Sequence, residues 1–586
     1  QTLADVTRAE AAFVSEVMRR HPDAPKPVVT GNCQGGWATL LLAAMNPDIT
    51  GPIVINGAPV ATWSGKVGVN PMRYNGGVLG GAWLPMFFSD LGGGVFDGAN
   101  LVMNFEMLNP GRTWFRKYYD LFADPERGRE RFLEFERWWG GFFLLNEAEI
   151  RWIVEQLFIG NKLTRNMAQL EPGRPVDLKR IQAPIIVFTS HGDNITPPQQ
   201  ALNWIVDTYA DEEEIRIRGQ RIIYMVHPDV GHLGIFVSSS IAKKEHTEVA
   251  STMKTIEALA PGLYEMTVDA AEGHGHEREY VVSFHERRMA DIAQLDDGRE
   301  DEAAFAAVAR ASEMQAEAYD AFMRPVVQAM VNKPVAAASR AVHPLRMQRA
   351  ALSSQNPFLA PFTAFARTVA QSRRPLDRSN PFRQTESIGA DLVEQWIDMA
   401  RDLRDAAYES TFFTLWSGPQ ARAFGASRGL RRALKSHEEL QGLPEVRAAR
   451  MNVDRGGFVE AVIRMLVMLA DSRGAVRRDR LERSARVLTQ DEPFRSLSME
   501  RRAMIIHEQT LIATFALEDA IETLPKLLPT KAERERAAAV VLYIPGKIEE
   551  MSPETLAMMQ RLRKALGLPA ASKDVLEDPL AAAAAE

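Results

Sequence analysis

The chain has one cysteine, Cys33, among 586 residues, and this scarcity excludes two classes of structure. A single thiol can form neither an internal disulfide nor a cysteine-based zinc site, so we expect the fold to rest on packing. The sequence also lacks an uninterrupted apolar run of about 18 residues, the length that spans a bilayer. A basic excess is missing too, since the formal charge is −7. We therefore expect a cytoplasmic protein of bacterial type, with no transmembrane segment and no nucleic-acid partner.

Composition shifts along the chain and predicts several domains. Eight of the ten tryptophans lie in the first 270 residues, whereas the remainder is rich in Ala, Arg, Glu and Leu with helical periodicity. A chain of this length is expected to hold three or four domains. We place an α/β domain at 1–268, a helical extension at 269–450, a second helical module at 451–568 and a loosely ordered tail at 569–586.

Four short β-rich runs alternate with helical stretches in the first domain, which predicts a parallel sheet covered by helices. The runs are "PVVT" (27–30), "GPIVING" (51–57), "APIIVFTS" (183–190) and "RIIYMVH" (221–227). Between the second and third lies an insertion, about 63–170, that is too long for a loop. Its glycine-punctuated aromatic segments favour a lid over an apolar pocket. A helical subdomain that simply covers the sheet is the alternative.

The cysteine lies in a pattern typical of a nucleophile elbow, Gly-x-nucleophile-x-Gly between a strand and a helix. Gly31-Asn32-Cys33-Gln34-Gly35 follows the first run and precedes "GWATLLLAAM", which predicts a helix. Such a turn strains the nucleophile's backbone, and we expect the glycines on either side because larger residues would collide. The helix N-terminus would point free N–H groups and its positive dipole end at the sulfur, which favours a thiolate and a later oxyanion.

Two further motifs follow in the order nucleophile, acid, histidine that accompanies this elbow. "HGDNITPP" places Asp193 just after the third predicted strand, and "PDVGHLGIF" places His232 after the fourth. We expect His232 to accept the thiol proton of Cys33, while Asp193 holds the imidazole tautomer and stabilises its charge. The alternatives are His227 or His191 as the histidine and Asp229 as the acid.

These motifs resemble the polyhydroxyalkanoate synthase family, whose lipase-like box carries cysteine in place of serine. "GNCQGGW", "SHGDNITPP" and "GHLGIF" stand where that family has its nucleophile, acid and histidine, and the resemblance covers residues 1–265. "NFEMLNPGRTW" (104–114) and "LFIGNKL" (157–163) are similar to cap segments of the synthases. The resemblance implies an α/β-hydrolase-type sheet with a cap insertion, followed by an all-α region. It also implies a cysteine-dependent acyltransferase that acts on hydroxyacyl thioesters.

The helical half departs from this family, because synthases normally end soon after the histidine loop. With its extension, the chain resembles a poorly characterised bacterial group of hydroxyalkanoate synthetase-like proteins. Since intracellular polyester depolymerases of the superfamily can also use cysteine, an ester or polyester hydrolase with the same triad is one alternative, and a non-catalytic scaffold is another. We expect an acyl-CoA or polyester substrate, no cofactor, no metal, and a homo-oligomer or granule association.

Residues 458–568 contain two similar stretches, each with a helix, a glycine turn at Gly474 or Gly546, and a second helix. They resemble the TerB-like tellurite-resistance module. Ser552 followed by Pro553 predicts an N-cap and first helical turn. Upstream, the proline-broken stretch 343–382 predicts a linker or an interaction arm.

The chain opens at Gln1 inside a predicted helix, whereas the family resemblance implies several strands before the elbow. One oxyanion donor would be the backbone N–H of Gln34, and the second usually comes from an earlier strand–helix loop. We therefore expect a segment of the protein to precede Gln1.

Overall fold

Two compact units make up the chain, and each joins segments that are far apart in sequence. A computed structural model describes residues 2–237, 256, 258–272, 279–354, 356–374, 376–377, 379–429, 436–472, 475–575 and 577–580. The first unit combines Gln1–Val6, Gly65–Asn161 and Arg299–Leu430, and the second combines Thr7–Ser64, Lys162–Gly298 and Arg431–Glu586. The units thus differ from the consecutive domains predicted, because most of the insertion and of the helical extension pack together in one unit.

The second unit is built on a mostly parallel seven-stranded sheet of order β1-β2-β7-β8-β9-β10-β11. The described strands are β1 Val29–Asn32, β2 Ile53–Asn56, β3 Val95–Asp97, β4 Leu144–Asn146, β5 Gln169–Glu171, β6 Arg174–Pro175, β7 Ile185–Ser190, β8 Arg221–His227, β9 Gly262–Glu272, β10 Glu279–Glu286 and β11 Ala475–Arg477. In this sheet, the neighbouring strands β1, β2, β7, β8 and β9 pair in parallel. Strand β10 pairs antiparallel with both β9 and β11. Two small sheets, β3-β4 and β5-β6, lie outside it.

The four strands predicted from apolar runs are confirmed as β1, β2, β7 and β8. Every side chain of β2 and β7 is buried, as expected for parallel strands covered by helices on both faces. The expectation of an all-α region after residue 268 was wrong at β10 and β11, which both extend the sheet and pair with each other through Phe284 and Val476. The boundary expected at 268 falls inside β9, which continues the sheet to Glu272.

Helices cover the sheet and fill the rest of the second unit. Those preceding residue 300 are Gln34–Met45, Pro198–Thr208, Glu212–Ile217, His232–Val237 and Met289–Ala293, with a 3-10 turn at Leu178–Arg180. Those of the C-terminal part are His437–Gln441, Pro444–Met451, Phe458–Asp471, Arg478–Gln490, Met499–Phe515, Leu517–Glu522, Leu524–Leu527, Lys531–Tyr543 and Pro553–Ala565, with a 3-10 turn at Ile548–Glu550. The chain's first helix, Leu3–Arg20, has residues in both units.

The C-terminal helices share one apolar core, in which Phe494, Ile512 and Val540 are fully buried. The predicted cap is confirmed, since Ser552 accepts a hydrogen bond from the backbone of Thr555 and Pro553 starts the helix. Gly474, the first of the two predicted repeat turns, lies outside the described residues. The expected tail is not loose throughout, because the side chain of Leu580 is 3% exposed and packs in this core.

The first unit is mainly helical, contains the small β3-β4 sheet, and joins the insertion to the helical extension. Its helices are Asn75–Val78, Trp83–Leu91, Ala99–Leu108, Lys117–Ala123, Pro125–Trp139, Glu147–Trp152, Glu302–Ala318, Arg324–Met330, Lys333–Ala341, Pro344–Ala351, Ala360–Ser372, Pro381–Trp416 and Pro419–Gly429. Shorter turns are 3-10 at Pro71–Tyr74 and Pro357–Leu359 and π at Gly111–Arg116, Ile153–Phe158 and Tyr319–Met323.

Aromatic packing joins the insertion to the helical extension within the first unit. The ring centroid of Phe412 lies 4.9 Å from that of Tyr74 and 4.6 Å from that of Phe305, within the favourable range for ring pairs. The indole of Trp416 donates a hydrogen bond to the carbonyl of Gly77 at 3.0 Å. Among the described helices of both units, none is long and apolar enough to cross a bilayer.

Candidate active site

The elbow forms where the sequence predicts it. Cys33 lies between the last residue of β1 and the helix Gln34–Met45, with φ 53° and ψ −121°, a conformation that L-residues rarely adopt. Its backbone N–H donates to the carbonyl of Asn56 at 2.8 Å, which ties the turn to the end of β2. The side chain is partly exposed. The turn therefore presents the sulfur beyond the sheet's carboxyl edge.

The glycines of the elbow have different roles from those expected. A Cβ on Gly31 would lie 2.2 Å from the carbonyl oxygen of Gly35, so a side chain cannot be placed there without moving the backbone. A Cβ on Gly35 would meet nothing within 4 Å, and the steric reason predicted for that glycine was wrong. Instead, a Cβ on Gly36 would lie 2.3 Å from the Cβ of Ala58. Close helix–strand packing therefore constrains Gly36.

The predicted acid and histidine are brought together. Nδ1 of His232 lies 2.7 Å from Oδ2 of Asp193, and both side chains are almost fully buried. The other carboxylate oxygen of Asp193 accepts backbone N–H bonds from Ile195 at 2.9 Å and Thr196 at 2.8 Å. These contacts fix the carboxylate's orientation. The loop after β7 thus holds Asp193 toward the imidazole.

The side chain of Cys33 lies near enough to the imidazole of His232 to act on its pKa. Burial alone would lower the pKa of His232, but hydrogen bonds to Asp193 and Cys33, together with the charges of both groups, raise the pKa to about 9. Because Nδ1 faces the carboxylate, Nε2 is the nitrogen left for the sulfur. Asp193 thus contacts one nitrogen of the imidazole by a hydrogen bond, and Cys33 acts on the same ring.

The rival groups lie in other surroundings. Nδ1 of His227 accepts hydrogen bonds from the backbone of Asp229 at 3.3 Å and of Val230 at 3.2 Å, within its own loop. The side chain of Asp229 is 85% exposed, whereas that of Asp193 is buried. His191 is exposed and donates its backbone N–H to the carbonyl of His227. The acid that contacts His232 is Asp193.

Gly57, a residue that sequence reasoning missed, packs directly on the His–Asp pair. It follows β2 with φ +53°, and a Cβ there would lie 3.3 Å from Oδ2 of Asp193 and 3.4 Å from the ring of His232. Its backbone N–H donates to the carbonyl of Phe188 at 2.8 Å. The only sequence signal was a glycine directly after a buried strand.

The loops that carry the acid and the histidine also touch each other. A Cβ on Gly192 would lie 2.2 Å from the carbonyl oxygen of Asp229, so the two loops pack backbone to backbone. At the elbow, the side-chain amide of Asn56 donates to Oδ1 of Asn32 at 2.9 Å. Such contacts restrict movement of the strand ends that carry the three residues.

The N-terminus of the elbow helix offers a donor for negative charge. Gln34 is its first residue, and the first N–H groups of a helix have no acceptor within the helix. The backbone N–H of Gln34 can therefore donate to an oxyanion formed beside Cys33. Within the described ranges, no group of three or more His, Cys, Asp or Glu side chains is placed to hold a metal ion.

A relative of this chain matches it over nearly the whole sequence. The "Uncharacterized protein in ackA 5'region" of Rhizobium meliloti is 38% identical over 582 residues, which cover 96% of this chain and 79% of that protein. No solved structure matches.

Local similarity extends to proteins named "Poly(3-hydroxyalkanoate) polymerase subunit PhaC". The protein from Thiocystis violacea is 28% identical over 231 residues, 37% of this chain and 57% of that protein. The protein from Haloferax mediterranei is 26% identical over 217 residues, 36% of this chain and 39% of that protein. The chain thus spans about half the length of these two relatives. None of the matches supports the resemblance of 451–568 to the TerB-like module.

A family model covers residues 1–454, which include the elbow, the acid and the histidine. The match to the Rhizobium meliloti protein extends beyond residue 454, since it covers 96% of this chain. The chain therefore belongs to the family described as "Protein of unknown function (DUF3141)".

Proposed function

We propose that this chain is a cysteine-dependent acyltransferase that acts on hydroxyacyl thioesters. The observation that carries the proposal is the series in which Asp193 contacts His232 and His232 contacts Cys33. Partial similarity to the PhaC polymerase subunits supports the substrate class. In this proposal Cys33 is the nucleophile, His232 the general base and then acid, and Asp193 the group that orients the imidazole.

The order of these residues along the sheet supports an α/β-hydrolase-type fold. The nucleophile follows β1, the acid follows β7 and the histidine follows β8, and these strands belong to one set of parallel neighbours. The carboxyl ends of parallel strands meet at one edge of a sheet, where ligands bind in open α/β folds. The nucleophile, acid, histidine order is the one found in that superfamily.

The first half-reaction would transfer the acyl group to the enzyme. Nε2 of His232 takes the proton of the Cys33 thiol, and the thiolate attacks the thioester carbonyl. The resulting oxyanion accepts a hydrogen bond from the backbone N–H of Gln34. When the tetrahedral intermediate collapses, the carbon–sulfur bond to the leaving thiol breaks, and that thiol takes the proton from His232. An acyl-Cys33 thioester remains.

The second half-reaction decides between transfer and hydrolysis. A hydroxyl group of a second hydroxyacyl molecule would lose its proton to His232 and attack acyl-Cys33, which forms an ester and releases the Cys33 thiol. Water in place of this hydroxyl would give a free hydroxy acid, which is the activity of a hydrolase. We favour transfer because an acyl-cysteine thioester passes its acyl group to alcohols as well as to water, and because the named relatives are polymerase subunits.

Release of thiol from 3-hydroxybutyryl-CoA tests this proposal. We expect the full chain to release coenzyme A, and Cys33→Ala to abolish the release while the protein stays folded. Analysis of the products separates the two outcomes: oligomeric esters indicate transfer, and one free hydroxy acid per coenzyme A indicates hydrolysis. Coenzyme A release that survives in Cys33→Ala, or no release from hydroxyacyl thioesters of several chain lengths, would refute the proposed role of Cys33.

A further inference from the structure

The helix Ala360–Ser372 in the first unit has no buried side. Every side chain of this helix whose exposure is described is exposed to solvent, including those of Phe362, Phe365 and Val369. A helix of about 13 residues is marginally stable in water unless an apolar face is buried. The apolar side chains of this helix therefore lack the cover that usually stabilises so short a helix.

The uncovered side chains form one continuous apolar face. Phe358, Phe362, Phe365 and Val369 follow at spacings of four, three and four residues, which places them on one side of the helix and its preceding turn. They are 83%, 72%, 67% and 58% exposed. Large apolar side chains grouped in this way mark an interaction surface rather than scattered surface residues.

Positive charge predominates in the sequence that contains this face. Residues 356–383, which we call the Phe-Arg arm, contain five arginines, one aspartate, and no lysine or glutamate, whereas the whole chain carries a net charge of −7. The guanidinium of Arg373 donates hydrogen bonds to the carbonyls of Phe122 and Ala123. Because backbone carbonyls carry no net charge, these bonds do not neutralise the arginine. The single aspartate, Asp377, accepts hydrogen bonds from Ser379.

We propose that the Phe-Arg arm binds an anionic lipid surface, with its helix lying in the headgroup plane. A basic amphipathic helix with phenylalanines on its apolar face has the chemistry of an interfacial helix. Phe358, Phe362 and Phe365 would enter the acyl boundary, and the arginines would meet lipid phosphates.

Charge favours a lipid over a second copy of the chain. In a symmetric dimer the same patch faces itself, so two arms with a net charge of +4 each would be brought together. Like charges across an interface oppose association, whereas an anionic surface attracts each arginine.

Sedimentation with vesicles tests this inference on the full chain. We expect binding to vesicles of phosphatidylcholine and phosphatidylglycerol at a ratio of 7:3, and weaker binding to pure phosphatidylcholine or at high salt. The Phe362→Asp, Phe365→Asp variant removes two phenylalanines that would enter the lipid, and it should weaken binding by about a hundredfold or more. Arg374→Gln should weaken it by about fivefold at low salt.

A matched control separates the arm from general surface hydrophobicity. Phe13 in the helix Leu3–Arg20 is 71% exposed, so Phe13→Asp should leave vesicle binding unchanged. Failure of the wild-type chain to bind either vesicle, or equal binding by the double variant, would overturn the inference. A wild-type dimer that Phe362→Asp, Phe365→Asp converts to a monomer, with no vesicle binding, would show that a second copy covers the face.

Discussion

A methyl group added at Gly57 should disturb Cys33 through the His–Asp pair. The Cβ of Gly57→Ala would lie 3.3 Å from Oδ2 of Asp193 and 3.4 Å from the ring of His232, closer than ordinary carbon contacts. The backbone φ of +53° also disfavours alanine by about 1–2 kcal/mol. We expect both a loss of stability and a shift of the buried pair by a few tenths of an ångström.

Gly173→Ala supplies the matched control. Gly173 has φ +79°, but a Cβ there would meet nothing within 4 Å, so this variant carries backbone strain without a contact at the site. Both variants should lose about 1–2 kcal/mol in the free energy of unfolding, measured by urea denaturation. Only Gly57→Ala should slow the alkylation of Cys33 by iodoacetamide at neutral pH.

We expect the slowing at Cys33 to be about three- to tenfold, because a displacement of about 1 Å in a catalytic group can cost about a hundredfold in rate. Alkylation is followed by the mass of the intact protein over time. Equal alkylation rates in Gly57→Ala and Gly173→Ala would refute the reasoning, since the loop after β2 would then have no influence on the orientation of the imidazole.

Three other comparisons test further parts of the structure. Gly31→Ala should lose about 2 kcal/mol or more in the free energy of unfolding because its Cβ would meet a backbone oxygen, whereas Gly35→Ala should be tolerated; similar urea midpoints would contradict this. The pKa of His232 is raised to about 9 in the folded state. The protonated imidazole therefore makes its full contribution to the free energy of unfolding below pH 6.5, and this contribution is lost as the pH rises through 9. The free energy of unfolding of wild type relative to His232→Gln should therefore fall by about 3 kcal/mol from pH 6 to pH 10, and a constant difference would be inconsistent with the raised pKa. Lys179→Met should destabilise by about 1–3 kcal/mol because it removes the 2.6 Å partner of the buried carboxylate of Glu214, which keeps Arg218 at 2.9 Å, and an unchanged midpoint would show that the Lys179–Glu214 pair adds no net stability.

Local patterns were sufficient to predict the strands and the order of the three candidate residues. The runs of β1, β2, β7 and β8 are each short and rich in β-branched residues, and β2, β7 and most of β8 are buried, so each strand can be recognised within a few residues of sequence. The elbow could be predicted for the same reason: the glycine and the cysteine that form its tight turn, Gly31 and Cys33, lie two residues apart in the sequence.

Features that depend on distant partners could not be predicted in this way. β11 has three residues, and only its pairing with β10 makes it a strand. Gly57 matters through contacts with Asp193 and His232, which are more than 130 residues away in sequence. The joining of the insertion to the helical extension depends on long-range aromatic packing such as that of Tyr74 with Phe412.

Mass analysis of the protein after incubation with 3-hydroxybutyryl-CoA tests the proposed nucleophile most directly. We predict an added hydroxybutyryl group that maps to the peptide containing Cys33, is removed by hydroxylamine, and is lost in Cys33→Ala. His232→Gln should form the adduct far more slowly. An adduct on another residue, or an unmodified Cys33 under conditions in which coenzyme A is released, would contradict the account.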